Sequence, residues 1–556
     1  MKTRIPRITA LIVTAAALAT ACAGKDNNAS SDTTASAGTS AAGVTSAATT
    51  AAAPSPTTPA ATADVDSVTW ATYREVNTIN PEYAFDYPEN TVISAMCESL
   101  LLQQPDGSIV PGLATLTRPD DTTMVFTLRD GVTFWDGSPL TPDDVVFSLQ
   151  RNTDPKVGSF YGAAFSRVAS ITATGPKEVT IKLSQPDFWL EGELSSMAGV
   201  VLEKAYVESK GAAYGTPDGG AMCTGAYKLE SWKTGDRLTV VRNDTYWNGR
   251  AKVGKIDFVG VPDEATLTSG LLTGDIGGSY IGPVAAYDRL TSDPSLTDTP
   301  GLSYASAALV ISNLQGTLAD VKVRTALSLA IDRQGLISAV YHGQAEPAKA
   351  IANPGTWGYA PDVFSAAWDA LPDPAQDVAK ATSMVQEAGA TGKTLVLATT
   401  NEIASVATMT NAVKSAAEAI GLKVDLRPVS AANYINLFID PNARAGIDGF
   451  VTVNYPDYAD PAALYATFVL PEGTQNFSGY SNPQVTSDLE QARGTADPDA
   501  RAKLVTDAQA LIQQDLPWIG LANPATILVT SAKLTGAPAS FTYMNSPWPA
   551  GLGGVG

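Results

Sequence analysis

Histidine and cysteine are scarce in this chain: 556 residues contain one histidine, His342, and three cysteines, Cys22, Cys97 and Cys223. With so few soft ligands and no closely spaced cysteine pair, no metal site and no cofactor are expected. There is no second histidine for His342 to work with. No G-x-S-x-G, HExxH or Walker-type phosphate loop occurs, so the common nucleophilic, metallohydrolase and nucleotide-hydrolysing sites lack their parts. His342 follows an apolar stretch ending at Tyr341 and precedes Gly343, which suits a solvent-facing or helix-terminal position. Positive charge is also short, with 36 Lys and Arg against 56 Asp and Glu and a net charge of −20. Nucleic-acid binding wants a basic face, so no nucleic-acid partner is expected, and the acidity reads as a solvated surface. So many carboxylates leave a glycosidase-type pair as the enzymatic alternative.

Long apolar runs are missing too, except at the start. Lys2, Arg4 and Arg7 precede an apolar run from Ile8 to Ala19, followed by small residues and Cys22. That order is the one a secretory signal has, and the run is too short to span a bilayer comfortably. Ala19-Thr20-Ala21-Cys22 resembles the lipobox of a bacterial lipoprotein signal, with Ala19 where the usual leucine stands and Leu18 one place earlier. The resemblance implies a signal over residues 1–22 and a lipid anchor on Cys22. A plain signal peptide with a chance cysteine is the alternative. From Ala23 to Ala63 the chain is almost entirely Ala, Ser, Thr, Gly and Pro. With nothing large to bury, residues 23–63 are expected to be a disordered tether that keeps a folded body near a membrane yet mobile. The expected location is therefore the outer face of the cytoplasmic membrane, on its periplasmic or cell-wall side.

About 490 residues remain, enough for two or three lobes. In an exported body Cys97 and Cys223 are expected to pair as a disulfide, two buried thiols being the alternative. The body opens with a β-prone segment over Val68–Tyr73, and a helix is expected from Thr91 to Leu102. Thr141-Pro142-Asp143-Asp144 opens another helix: Thr141 is a good N-cap, proline fits the first turn and the acids suit the dipole. The middle is β-rich. Farther on, a helix is expected over Asp320–Tyr341, then a strand at Leu395–Thr399, a helix over Glu402–Ile420 ended by Gly421, and a strand at Val424–Leu426. That βαβ unit implies parallel pairing, so the fold class is α/β or mixed in more than one lobe.

Several short motifs recur in a recognisable order. Glu75-Val76-Asn77-Thr78-Ile79-Asn80-Pro81 comes first. Cys97-Glu98-Ser99-Leu100-Leu101, Pro105-Asp106-Gly107, Val110-Pro111-Gly112-Leu113-Ala114 and the run LRDGVTFWDGSPLTPDDVVFSL from Leu128 to Leu149 follow. Thr224-Gly225-Ala226-Tyr227-Lys228-Leu229 with Trp232, Arg242-Asn243 and Tyr246-Trp247 make the next block. Val323-Arg324 through Ala330-Ile331-Asp332-Arg333 and Gly479-Tyr480-Ser481-Asn482-Pro483 complete the series. In order and spacing over residues 66–535 the chain resembles the extracytoplasmic solute-binding proteins of peptide-type ABC importers, the dipeptide- and oligopeptide-binding family 5. The resemblance implies a periplasmic-binding-protein-like α/β fold (type II, cluster C) of two lobes with a hinge and an inserted domain. Lobe I would combine residues 64–82, 197–308 and 515–556. The inserted domain would be 83–196, and lobe II would be 309–514.

The resemblance also implies a site. Asp457-Tyr458-Ala459-Asp460-Pro461 matches the D-x-x-[DE]-P pattern at which peptide binders place an aspartate, so Asp457 would pair with a ligand's α-ammonium group. The alternative is an Asp capping backbone groups in an Asp-Pro turn. Val453 and Tyr455 match positions whose main chain pairs with an extended peptide, and Glu75, Val76 and Asn77 match the facing strand, a strand-addition mode. Trp135, Trp189, Trp232 and Trp247 sit in strand or turn patterns, which favours core packing over lining a cleft. The implied partners are a small peptide, the permease subunits of an ABC transporter and, through the lipid anchor, the membrane. The protein is expected to be a monomer and not an enzyme. A non-peptide solute (oligosaccharide, metal chelate or haem) or an exported hydrolase remain as alternatives.

Overall fold

The structure is a computed structural model that describes residues 56–401 and 403–556. The expected signal, Cys22 and the tether as far as residue 55 lie outside the described residues. The end of the expected tether differs from a disordered chain. Thr62 and Ala63 donate their N–H groups to the carbonyl of Gly554, and Thr58 bonds the carbonyl of Ala537. Pairing of this kind uses main chain, so an absence of large side chains does not prevent it.

Three sheets organise the body. A seven-stranded sheet runs in the order Leu296–Gly301, Thr526–Ser531, Gly278–Ser279, Val65–Thr72, Val253–Gly260, Arg237–Arg242 and Tyr227–Lys233. Its centre is the parallel pair Val65–Thr72 and Val253–Gly260, where Trp70 lies opposite Phe258 and both are buried. A four-stranded antiparallel sheet is built wholly from the segment between residues 114 and 183. It shares one continuous apolar core with the first sheet. The third sheet, of six strands, runs Ala345–Pro347, Trp518–Pro524, Ser306–Ile311, Gly449–Asn454, Thr394–Thr399 and Lys423–Pro428, with its own core. The expected βαβ unit is there: Thr394–Thr399 pairs in parallel with Lys423–Pro428, joined by the helix Ala404–Ala419, and Gly421 takes the positive φ that ends it.

The sheet pairing departs from the expected division at two strands: Ser306–Ile311, which straddles the expected boundary at 308, lies wholly in the six-stranded sheet, and so does Trp518–Pro524. Trp518–Pro524 was assigned by resemblance to the first lobe, but it pairs with Ser306–Ile311 in the six-stranded sheet. Six of its seven residues are buried, as suits a central strand covered on both faces. The chain therefore passes between the two large sheets twice, through Leu302–Ala305 and through Ala525, which separates Trp518–Pro524 from Thr526–Ser531.

Two helices also differ from expectation, for visible reasons. The first spans Tyr87–Met96, not Thr91–Leu102, because Asp86 caps Tyr87 and Pro88 occupies the first turn. It stops before Cys97, which forms a disulfide with Cys223 across a Cα separation of 4.9 Å. The expected helix over 320–341 is two, Val321–Ala330 and Arg333–Tyr341. Asp332 caps the second, and Arg333 reaches back to the carbonyls of Ser328 and Gly520. His342 terminates that second helix in the left-handed region, at φ 46°. Thr141 and Asp144 form a full capping box ahead of Pro142–Thr153. Among the described residues no helix is long and apolar enough to cross a membrane.

Beside the disulfide, two of the sequence blocks converge on one buried carboxylate. Glu98 accepts from Thr224 Oγ1 at 2.7 Å, Tyr246 OH at 2.6 Å and Trp247 Nε1 at 2.9 Å. Burial raises its pKa, and those three hydrogen bonds act against the rise. Glu98→Ala would leave three buried donors unmatched, so urea unfolding should show a loss of about 3 kcal/mol or more. A loss under about 1 kcal/mol would mean that water or a neighbouring group satisfies them equally well.

Candidate functional site

Between the two large sheets lies a cavity of about 740 Å³. The strand Gly449–Asn454 delivers its wall from one side. That strand pairs with Ser306–Ile311 along its whole length, but with Thr394–Thr399 only at Gly449 and Phe450. Its other edge is therefore free of strand partners from Val451 to Asn454, where it borders the cavity. Side-chain bonds touch that stretch without closing it: Tyr434 OH donates to the carbonyl of Val451 at 2.8 Å, Thr452 Oγ1 to the carbonyl of Val453 at 3.4 Å, and Asn454 Nδ2 to Gln475 Oε1 at 2.8 Å. Such an edge can add an extended chain.

The strand runs on into the loop 455–460, which is held from several directions. The carbonyl of Asp457 accepts from Gln103 Nε2 and from Asn545 Nδ2, both at 2.8 Å. Tyr458 packs on Gly192, where a Cβ would lie 2.1 Å from the ring, so only glycine fits. Gly107, at φ +85°, brings the turn Pro105–Gly107 against Ala459. Asp460 caps the helix Pro461–Val469 through Ala462 N at 2.8 Å and accepts from Tyr359 OH. Burial pushes the Asp460 carboxyl up to about 6. Of the two acids in the D-x-x-D-P motif, Asp460 is thus the capping residue.

Asp457 is free to do something else. It lines the cavity, and among the described residues its carboxylate has no hydrogen bond or ion pair. Burial pushes its pKa up to about 6. Glu193, from the short helix Leu190–Glu193, lines the same cavity and is likewise unpaired. Burial first, then the negative charges of Asp457 and Asp187, push it up to about 8 against the opposing pull of Arg493. The third carboxylate in the wall, Asp86, is different: Arg74 pairs with it at 2.7 Å and Tyr73 donates to it. Around these groups the lining is aromatic and aliphatic. Tyr455 meets Tyr87 edge-on at 5.0 Å and Phe541 at 4.8 Å, and Phe85 stacks on Phe160 at 4.8 Å. Phe160 and Ile439, large apolar side chains 50% and 68% exposed, also border the cavity.

The structure brings Asp457, Tyr455 and Val453 together in the cavity wall and leaves Glu75, Val76 and Asn77 out of it. The Glu75 carboxylate accepts from Gly235 N, Val76 is buried in the first core, and Asn77 donates its N–H to Glu89 Oε1. The reason is Arg74: clamped between Asp86 and Glu89, it fixes the turn after the strand Val65–Thr72, and Tyr73 is the residue left facing the cavity. None of Trp135, Trp189, Trp232 and Trp247 lines the cavity. Trp189 packs in the second core and the others against the first. Glu193 had no motif to announce it, because its neighbours Gly192 and Trp189 meet Tyr458 and Arg493 only in the folded chain.

Two lobes with separate cores, joined by two crossing segments and enclosing a cavity between them, define a solute-binding fold. The chain belongs to the bacterial extracellular solute-binding proteins, family 5, whose middle-region model matches residues 108–476, and so to the binding components of peptide ABC importers. It is 28% identical over 478 residues to the periplasmic murein peptide-binding protein MppA of Escherichia coli, covering 80% of this chain and 85% of that one. It is 26% identical over 459 residues to heme-binding protein A of Haemophilus influenzae, covering 77% and 80%. The fold matches that of the periplasmic binding protein DppA from Helicobacter pylori, solved with the peptide STSA. The TM-score is 0.77 at 20% identity, covering 88% of this chain and 98% of that one.

Both cavity carboxyls titrate above their unfolded values of about 4, so between about pH 4 and pH 8 the empty folded protein holds more protons than the unfolded chain. Its stability therefore falls as pH rises through that window. Asp457→Asn with Glu193→Gln should flatten that slope and make the empty protein more stable than the parent at pH 8, read by urea unfolding. An unchanged slope would show that neither carboxyl is desolvated in the empty cavity.

Proposed function

We propose that this protein captures short peptides outside the cytoplasmic membrane, tethered there through lipidated Cys22, and hands them unaltered to an ABC permease. The observation that supports peptide cargo best is Asp457: an unpaired carboxylate in a largely apolar cavity, at the end of a strand whose edge is open from Val451 to Asn454. A peptide's α-ammonium would supply the missing cation, and its main chain would continue along the open edge. The relatives named for murein peptide and the neighbour solved with a peptide point the same way. Of the six residues the sequence nominated for the ligand, we retain Asp457, Tyr455 and Val453 and put Tyr73 in place of Glu75, Val76 and Asn77.

Desolvating Asp457 costs energy that is recovered only when a cation arrives. Asp457→Ala should therefore weaken a bound peptide at least ten-fold, about 1.4 kcal/mol or more, by isothermal titration calorimetry. Acetylating the peptide's N-terminus should cost the parent protein a similar amount and the variant little. Equal affinity of parent and variant would remove Asp457 from the site. Native mass spectrometry of the purified protein, followed by denaturing release, identifies the cargo. Release of haem or a sugar instead of a peptide would overturn the peptide reading while leaving the family assignment intact.

A further inference from the structure

The charge balance of the cavity is one-sided. Its described lining holds three carboxylates and no lysine, arginine or histidine. Two cations beside its carboxylates are already engaged. Arg74 is held by Asp86 and Glu89. Arg493 makes two bonds to Asp187 at 2.6 and 3.0 Å and lies over the Trp189 ring. Two carboxylates, Asp457 and Glu193, are left without a partner among the described residues. Their segments are locked side by side, since Gln103 Nε2 bonds both the carbonyl of Ser195 and that of Asp457, and Gly192 receives the Tyr458 ring. A metal ion does not account for the pair, because the described residues contain no group of three or more His, Cys, Asp or Glu able to hold one.

Two charges of one sign in a space this apolar call for two of the other. A ligand carboxylate placed in the same space would meet two like charges and no counter-charge. Resting on the reading of this cavity as the cargo site, we propose that it selects a solute with two cationic groups on an apolar body, one at Asp457 and one at Glu193, and with no carboxylate inside the cavity. For a peptide this means a basic side chain close to the free N-terminus, and a C-terminus that is either uncharged or extends beyond the cavity. The aromatic wall suits such a cargo, because ring faces attract ammonium and guanidinium groups and pack the apolar remainder. The groups that face Glu193 are Asp457, Asp187, Arg493, Tyr161 and Tyr458. Of these, only Arg493 is cationic, and it is committed to Asp187.

The test is calorimetry with four probes: trileucine, trileucine amide, lysyl-leucyl-leucine amide and 1,8-diaminooctane. The amide should bind at least as tightly as the free acid. The lysyl peptide should bind about ten-fold or more tighter than trileucine amide, and that ratio should fall to near one in Glu193→Gln. Because Glu193 is held up at about 8 in the empty cavity, the lysyl peptide should also expel about one proton at pH 7 that trileucine amide does not. Titration in buffers of different ionisation enthalpy reads this in the parent protein, so the proposal stays testable even if the variant folds poorly. Three results would overturn it: trileucine binding about ten-fold tighter than its amide, a lysine preference that survives Glu193→Gln, or no difference in proton release. Binding of the diamine with no peptide bound would leave the charge selection standing and remove the peptide reading. Binding of none of the four would remove both.

Discussion

The site depends on how the main chain of residues 457–460 is held. Two side-chain amides, from Gln103 and Asn545, satisfy the carbonyl of Asp457, while Gly107 and Gly192 let the neighbouring turn and ring close in. The two amides come from 354 residues upstream and 88 residues downstream. Because the backbone is fixed from outside the second lobe, the Asp457 carboxyl has no local group to cap and is left to the cavity. Its motif partner Asp460 shows the contrast: the same residue type three positions on is used up at a helix start.

Leaving a carboxylate unpaired in a desolvated space is costly, and a second one beside it costs more. The protein tolerates both by raising their pKa values, so that in the empty cavity they are partly neutral. The arrangement makes affinity, protonation and stability parts of one balance. A cation that enters restores the charged forms, and a neutral solute gains nothing from them. The aromatic wall supplies area that does not depend on ligand sequence, which is the division of labour expected when few polar groups orient a cargo and apolar surface holds it.

The sequence blocks that carried the family resemblance turn out to be scaffold. Cys97-Glu98, Thr224-Gly225 and Tyr246-Trp247 meet at the Glu98 carboxylate. Arg324 bonds the carbonyl of Asp515, and Tyr480 and Asn482 bond its carboxylate, so two further blocks lock the last helix of the second lobe. Arg333 ties the helix break at Ile331 to the strand Trp518–Pro524. Glu75, Val76 and Asn77 belong with these: they are fastened to Gly235, the first core and Glu89. A motif that recurs through a family with diverse cargo has good reason to be structural, since cargo contacts must vary.

Local chemistry was legible in the residues themselves. Capping at Thr141 and the parallel βαβ unit follow from patterns confined to a few neighbouring positions, where hydrophobic period and side-chain type decide, whereas Asp457 became a candidate only through the family resemblance of its motif. What the chain could not disclose by itself was anything that depends on pairing across distance. The strand Trp518–Pro524 joins a sheet other than the one its position suggested, Glu193 meets Asp457 from 264 positions away, and no cation comes to meet either. Strand exchange between lobes and the sum of charges in a cavity are properties of three-dimensional proximity. Hydrogen-bond registers and desolvation exist only once the lobes have folded against each other, and at that point the tertiary structure decides what the cavity will take.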